Sequence, residues 1–273
     1  MPLSVLKARE EHGEAILGLA GRDVVLNAFM IYDWRELRGT DACGFYVATK
    51  GPDGPVEAAC AVFHDREFDS IVFCGSREGI KAILAELRPR KAVLPRVRPE
   101  ELGAVVEALG PGVGPIYDAL LMMCDEASFR PLIRHRVIKL GPEHAELYRA
   151  LMAGREDRPM KLSLEEARRR LSDASRPVFA ILHEGRIASV AMLYLSMPEV
   201  SLVGGVYTVP ELRNKGFATS ATAAATREAL RRSELAALIV RADNKPAIRA
   251  YEKVGYRVHR HLKWVCVGLD YPP

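Results

Sequence analysis

Glutamine is absent from this 273-residue chain, and asparagine stands at only three places, Asn27, Asn214 and Asn244. Scarce amides beside plentiful arginine and glutamate point either to a hot-living (thermophile) source or to the base composition of the gene. The five cysteines, Cys43, Cys60, Cys74, Cys124 and Cys266, are scattered, odd in number and free of C-x-x-C spacing. That pattern argues against a disulfide framework and against zinc, and fits a reducing, cytoplasmic setting with no bound metal. No apolar run reaches the ~18 residues that cross a bilayer. The opening Met1-Pro-Leu-Ser-Val-Leu-Lys-Ala-Arg-Glu-Glu turns charged too soon for a secretory signal. Neither G-x-x-x-x-G-K-[ST] nor G-x-G-x-x-G occurs, so nucleotide hydrolysis and dinucleotide binding lose their main sequence support. Charge of one sign is also lacking: a net charge of +4 does not by itself call for nucleic acid.

What the chain does have is a hydrophobic content of 49%, ample for a packed core. Its length holds one large domain or two of about 130 residues each. The most informative stretch is Val206-Tyr-Thr-Val-Pro-Glu-Leu-Arg-Asn-Lys-Gly-Phe-Ala-Thr219. An apolar strand runs into a tight glycine loop that opens at once into an alanine-rich helix. A helix start presents unpaired N–H groups and the positive end of the peptide dipole, which together favour an anion. Gly216 lets a ligand approach the backbone, and Arg213 and Lys215 add positive charge. A phosphate-bearing cofactor is the expected ligand. A second segment, Asp243-Asn-Lys-Pro-Ala-Ile-Arg-Ala-Tyr-Glu-Lys-Val-Gly-Tyr256, follows a short apolar strand over 237–240. Asp243 or Asn244 can cap its helix, Pro246 suits the first turn and Gly255 the stop.

The R-x-x-G-x-A loop from Arg213 to Ala218, followed by N-x-x-A-x-x-x-Y-E-K-x-G-Y from Asn244 to Tyr256, resembles the acetyl-CoA core of the GNAT acyltransferase superfamily. The fuller form V-Y-T-x-P-E-x-R-x-x-G-x-A narrows the resemblance toward tandem-GNAT, FR47-like proteins. It spans Val200 to Tyr256 and implies an α/β fold with a mixed sheet. It also implies acetyl-CoA as cofactor and N-acetyltransferase activity on a primary amine, by direct attack in a ternary complex. The main chain of Tyr207, Thr208 and Val209 would pair with the pantetheine arm. Arg213, Asn214, Lys215, Gly216, Phe217, Ala218 and Thr219 would hold the diphosphate. Asn244 matches a CoA-contacting asparagine, with a plain helix cap as the equal alternative. Tyr251 matches the general acid that protonates the departing thiolate, with a packed core tyrosine as the other meaning. Gly204-Gly205 inside a strand marks a bulge or a close approach, or relieves crowding.

The family's base position, counted back from the loop, falls on Val200, which cannot serve. Glu199 should face the other way, and Tyr194, His183 and Glu211 remain candidates beside a water chain or no dedicated base.

Val5–Leu19 and Val137–Leu151 share Val, Lys, Glu, His, Glu and Leu at matching places, the mark of two copies of one fold. Two tandem GNAT-like domains are therefore expected, 1–130 and 131–273. The first half reads as helix from Glu10, helix 23–37, strands 44–49, 56–63 and 70–74 with a Gly51-Pro-Asp-Gly54 hairpin turn, helix 78–87, strand 92–94 and helix 100–109. Where a phosphate loop should follow its third strand it has Gly75-Ser-Arg-Glu-Gly79, so the N-terminal domain is expected to be degenerate. In the second half, helices are expected over 143–152 and 164–171 and a hairpin over 178–183 and 187–195.

The expected partner is a small-molecule or peptide amine acceptor, with no nucleic acid and no membrane, on a monomer or homodimer. A CoA-binding regulatory module without turnover is the alternative. Nucleic-acid binding would rest on the basic pieces Arg88-Pro-Arg-Lys91 and Pro95-Arg-Val-Arg98, which lack interleaved aromatics. The acceptor elements are expected in 152–171, including Gly154-Arg-Glu-Asp-Arg158, and in the tail from Tyr256.

Overall fold

A computed structural model of the chain describes residues 3–52, 54–65 and 67–270; Asp53 of the expected hairpin turn lies outside them. The chain divides into two compact units, residues 1–120 with 260–272, and residues 121–259.

In the first unit, strand β1 (Leu3–Lys7) precedes helices α1 (Gly13–Ala20) and α2 (Ala28–Glu36). Strands β2 (Cys43–Lys50), β3 (Val56–His64) and β4 (Asp69–Gly75) follow, then α3 (Arg77–Leu87), β5 (Ala92–Val97) and α4 (Leu102–Leu109). β1 to β4 pair antiparallel in succession, and β5 lies parallel to β4 through Asp69 with Ala92 and Ser70 with Val93. The last strand of the chain, β12 (Arg257–Val267), pairs antiparallel with β5. Ile71, Ile80, Ile83, Leu84, Leu94 and Val265 are buried together in this unit's core.

The expected single helix over 23–37 is broken before Asn27. Arg96 donates to the carbonyls of Val25 (3.0 Å) and Leu26 (2.8 Å), turning them away from a helical ladder. The Asn27 side chain donates to Ala20 (2.9 Å) and holds the turn.

The second unit repeats this plan. The boundary falls within β6 (Val113–Cys124); β7 (Ile138–Lys139), α5 (Ala145–Ala153) and α6 (Leu164–Ser172) come next. β8 (Val178–His183), β9 (Arg186–Ser196), β10 (Val200–Thr208), α7 (Phe217–Arg232), β11 (Leu235–Arg241) and α8 (Lys245–Val254) complete it. β7 to β10 pair antiparallel in succession, and β11 lies parallel to β10. Glu184 (φ 49°) and Gly185 (φ 74°) make the tight β8–β9 turn, whose left-handed residues match the twist of the strands. Tyr148, Leu151, Ala167, Leu171, Val190, Met192 and Tyr207 pack α5 and α6 onto the sheet.

The repeated histidine has the same job in both copies. His12 Nδ1 accepts the Arg9 amide (2.9 Å) and His144 Nδ1 the Gly141 amide (3.1 Å), each tying the entry of the helix that follows.

Two strands lie where no strand was expected. β6 carries Gly114 and Pro115 just after its first residue, and both weaken a strand signal. β12 begins as a basic, largely exposed stretch and turns apolar only near its end.

Candidate functional site

The site is built where β10 leaves β11. These strands pair only through Val200–Leu202 with Leu235–Ala237, yet β10 runs on to Thr208 and β11 to Arg241. Two register shifts on the other side of β10 account for the divergence. Leu202 faces Leu195 and Val203 faces Leu193, so Tyr194 is an extra residue on β9. Gly204 then faces Met192 and Tyr207 faces Val190, so β10 carries an extra residue in turn. Gly205 lies there with φ 57°, a conformation that suits glycine. A Cβ on Gly204 would come within 2.2 Å of the Tyr194 ring, and one on Gly205 within 2.6 Å of the Met192 methyl. Both glycines therefore admit a side chain from β9.

Beyond the bulge, main-chain groups alternate in direction. The Val209 amide donates to Ala188 (3.0 Å) and the Tyr207 carbonyl accepts the Ser189 hydroxyl (3.0 Å), so both face β9. By that alternation Thr208, between them, turns its amide away from β9, and its carbonyl accepts from Arg213.

The loop after β10 makes a 3-10 turn over Pro210–Leu212. Asn214 (φ 64°) and Gly216 (φ 81°) are both left-handed, Asn being the non-glycine residue that best tolerates it. The Ser220 amide closes the first turn of α7 on Gly216 (3.1 Å), and no side chain caps the helix. The amides of Phe217, Ala218 and Thr219 thus have no intrahelical partner. The corresponding turn of the first unit is different. Ser76 caps α3 by accepting the Gly79 amide (3.2 Å), and a Cβ on Gly75 or Gly79 would strike β3 within 2.3 or 2.6 Å.

Arg213 is already engaged: its guanidinium donates to Thr208 (3.2 Å) and to Glu156 (2.5 Å). His135 was not foreseen. Its Nε2 donates to the Lys215 carbonyl (2.9 Å) and its ring meets Phe217 edge-on at 4.5 Å. His183 lies on the other side of Phe217, 5.8 Å between centroids, which places it at the loop. Arg134 donates its amide to the Ser220 hydroxyl (3.1 Å), so 132–135 runs beside the start of α7.

Asn244 accepts the Ala247 amide (3.2 Å) and so caps α8, while Arg241 pairs with Asp243. Tyr251 is 7% exposed on α8. Burial first, and the neighbouring Tyr194 second, push its hydroxyl above the ordinary value of 10, so it stays protonated at neutral pH. Val200 is fully buried, and Glu211 is held by Arg186 (2.7 Å). Tyr194, 43% exposed, is the base candidate within electrostatic reach of Tyr251. Of the basic pieces considered for nucleic acid, Arg96 is buried and Arg98 is held by Glu101 (2.6 Å).

Residues 182–265 match the FR47-like protein family. The chain has the fold of tandem GNAT proteins. A tandem GNAT protein from the clavulanic acid pathway is 18% identical over 100% of both chains, with a TM-score of 0.64. A GCN5-related N-acetyltransferase from Sphaerobacter thermophilus is 15% identical over 99% of this chain and 98% of its own, at 0.64. A Drosophila protein of 14% identity covers 98% and 99% at 0.70. No curated protein matches. On the GNAT fold the bulged β10, its loop and α7 are the elements that carried the sequence motif.

Proposed function

We infer that the second unit binds acetyl-CoA and transfers its acetyl group to a primary amine within a ternary complex. The observation that carries this reading is the uncapped start of α7 beside the parting of β10 from β11. The amides of Phe217, Ala218 and Thr219, preceded by left-handed Asn214 and Gly216, make a diphosphate cradle of main-chain donors. The Thr208 amide faces the gap that a pantetheine arm fits, with Tyr207 and Val209 fixing its register on β9. Arg213, tied to Glu156, and Lys215 add positive charge around the cradle, and Asn244 keeps its amide nitrogen for the nucleotide end.

Acetyl-CoA supplies the activated acyl group. The chain supplies a protonated Tyr251 hydroxyl for the departing sulfur and a main-chain N–H near Thr208 for developing negative charge on the carbonyl oxygen. The first unit, with a serine on its helix amides and glycines pressed on β3, holds no such cradle, and the work falls to the second.

Calorimetry with CoA tests the cradle, and thiol release from acetyl-CoA across an amine panel tests turnover. Tyr251→Phe lowers kcat about 100-fold or more with CoA affinity unchanged. Saturable CoA binding without thiol release from any amine identifies a regulatory module instead. No CoA binding at millimolar concentration removes the whole reading.

A further inference from the structure

Polar side chains gather on the α5–α6 side of the bulge. Tyr148, Tyr207 and Tyr251 are each more than nine-tenths buried, at 3%, 5% and 7% exposure. The Tyr207 hydroxyl is shut from solvent and has no hydrogen-bond partner among the described residues. Buried hydroxyls are ordinarily satisfied, and an unsatisfied one marks where a polar ligand belongs.

Tyr194 ties the group together. It acts electrostatically on Tyr251, Tyr148, Arg155 and Arg170, and its ring covers Gly204. Arg155 lies over the Tyr207 ring at 4.8 Å.

The charges decide what the ligand is. Arg155 is matched by Asp157, through two bonds of 2.9 and 2.8 Å. Arg170 has no carboxylate partner among the described residues: it donates to the Arg176 carbonyl (2.6 Å) and the Met192 sulfur (3.3 Å), a poor acceptor. The nearby Asp173 is taken by Arg176 (2.7 Å) and Ser175. The surroundings of Tyr194 thus hold one unmatched guanidinium and several phenol donors. A simple cationic amine finds no free carboxylate there, whereas a carboxylate finds a fork and O–H groups.

We propose that the acceptor is an amine carrying its own carboxylate, of the amino-acid class, and that Arg170 with the Tyr148 and Tyr194 hydroxyls receives that carboxylate. This rests on the acetyl-transfer reading, with Tyr251 at the reacting end and Arg170 at the anchoring end.

The test compares free amino acids, their carboxamides and their decarboxylated amines as acceptors, by kcat/KM from thiol release. The free acids are preferred about 10- to 100-fold, the worth of one charge-assisted hydrogen-bonded anchor. Arg170→Met reduces the acids to the level of the carboxamides, and Arg170→Lys recovers part of the preference through charge without the fork. Melting temperature and a CoA titration certify that each variant folds. Transfer with no preference for the acids overturns this inference and leaves acetyl transfer standing. If CoA binds but nothing is acetylated, ligand-observed NMR decides. Contact with the acids alone supports the anchor, and contact with neither class, or with the decarboxylated amines equally, overturns it. Failure to bind CoA overturns acetyl transfer and this inference together.

Discussion

Gly204→Ala isolates the Tyr194 ring from the cofactor cradle. The added Cβ would sit 2.2 Å from Tyr194 Cε2 and 2.7 Å from Cδ2. Carbon atoms rest at about 3.5 Å or more, so the ring must withdraw by about 1.3 Å, the difference between that separation and the overlap. Tyr194 is 43% exposed, so the ring can swing outward and the fold bears little of the strain. Its hydroxyl shifts relative to Tyr251, Tyr148 and Arg170, which lie within its electrostatic reach. A displacement on the order of 1 Å at a reacting centre costs about 100-fold in rate, near 2.7 kcal/mol. We therefore expect kcat/KM for the amine to fall about 100-fold, the melting temperature to move by only a few degrees, and CoA affinity to hold. Steady-state kinetics beside calorimetry reads all of this. Undiminished transfer by the alanine variant refutes the placement of Tyr194 at the acceptor. Loss of CoA binding instead would show that the bulge, and not the ring above it, is what the glycine serves.

Two further expectations concern backbone and burial. In Gly216→Ala the new Cβ meets His135 at an ordinary 3.6 Å, so the cost is the left-handed backbone, about 1–2 kcal/mol; calorimetry should show CoA about 10-fold weaker. An unchanged dissociation constant would mean that the cradle does not need that conformation. Asp33 is raised to about 7, chiefly by burial and against the opposing pull of Arg96. Its folded-state value lies above the unfolded one, so the folded chain holds the extra proton and stability declines as pH rises from about 4 to about 7, by at most about 4 kcal/mol. Melting curves from pH 5 to 8 should be flatter for Asp33→Asn than for wild type. Parallel curves would remove Asp33 as the cause.

The proposed cofactor cradle was legible in the sequence because it is made of main chain. A strand, a left-handed glycine and a small-residue helix start must occur at fixed spacing, and Val206–Thr219 shows that spacing. The proposed acceptor side left no fixed spacing, although the sequence pointed to 152–171, where Arg155 and Arg170 lie. Tyr148, Arg155 and Arg170 come from α5, the loop after it and α6, and no spacing rule links them to Tyr194 on β9. The bulge was readable from Gly204-Gly205, but the residue beneath each glycine was not, because only the register with β9 sets it. A lone histidine in a polar segment carries no pattern, and the partner of His135 is a carbonyl 80 residues away. The same holds for the break before α2, which depends on Arg96 from a distant strand.

The closing strand of the first unit comes from the far end of the chain. β5 has β4 on one edge and β12 on the other, and residues 121–259 are synthesised between them. At about 5–20 residues per second, a nascent β5 waits about 7–30 seconds with an open edge. An open strand edge is a template for wrong partners. Translation speed and chaperone cover thus bear on the opening 120 residues more than on those made later, and a stop codon just before Arg260 would wound the half of the protein that the ribosome finished first.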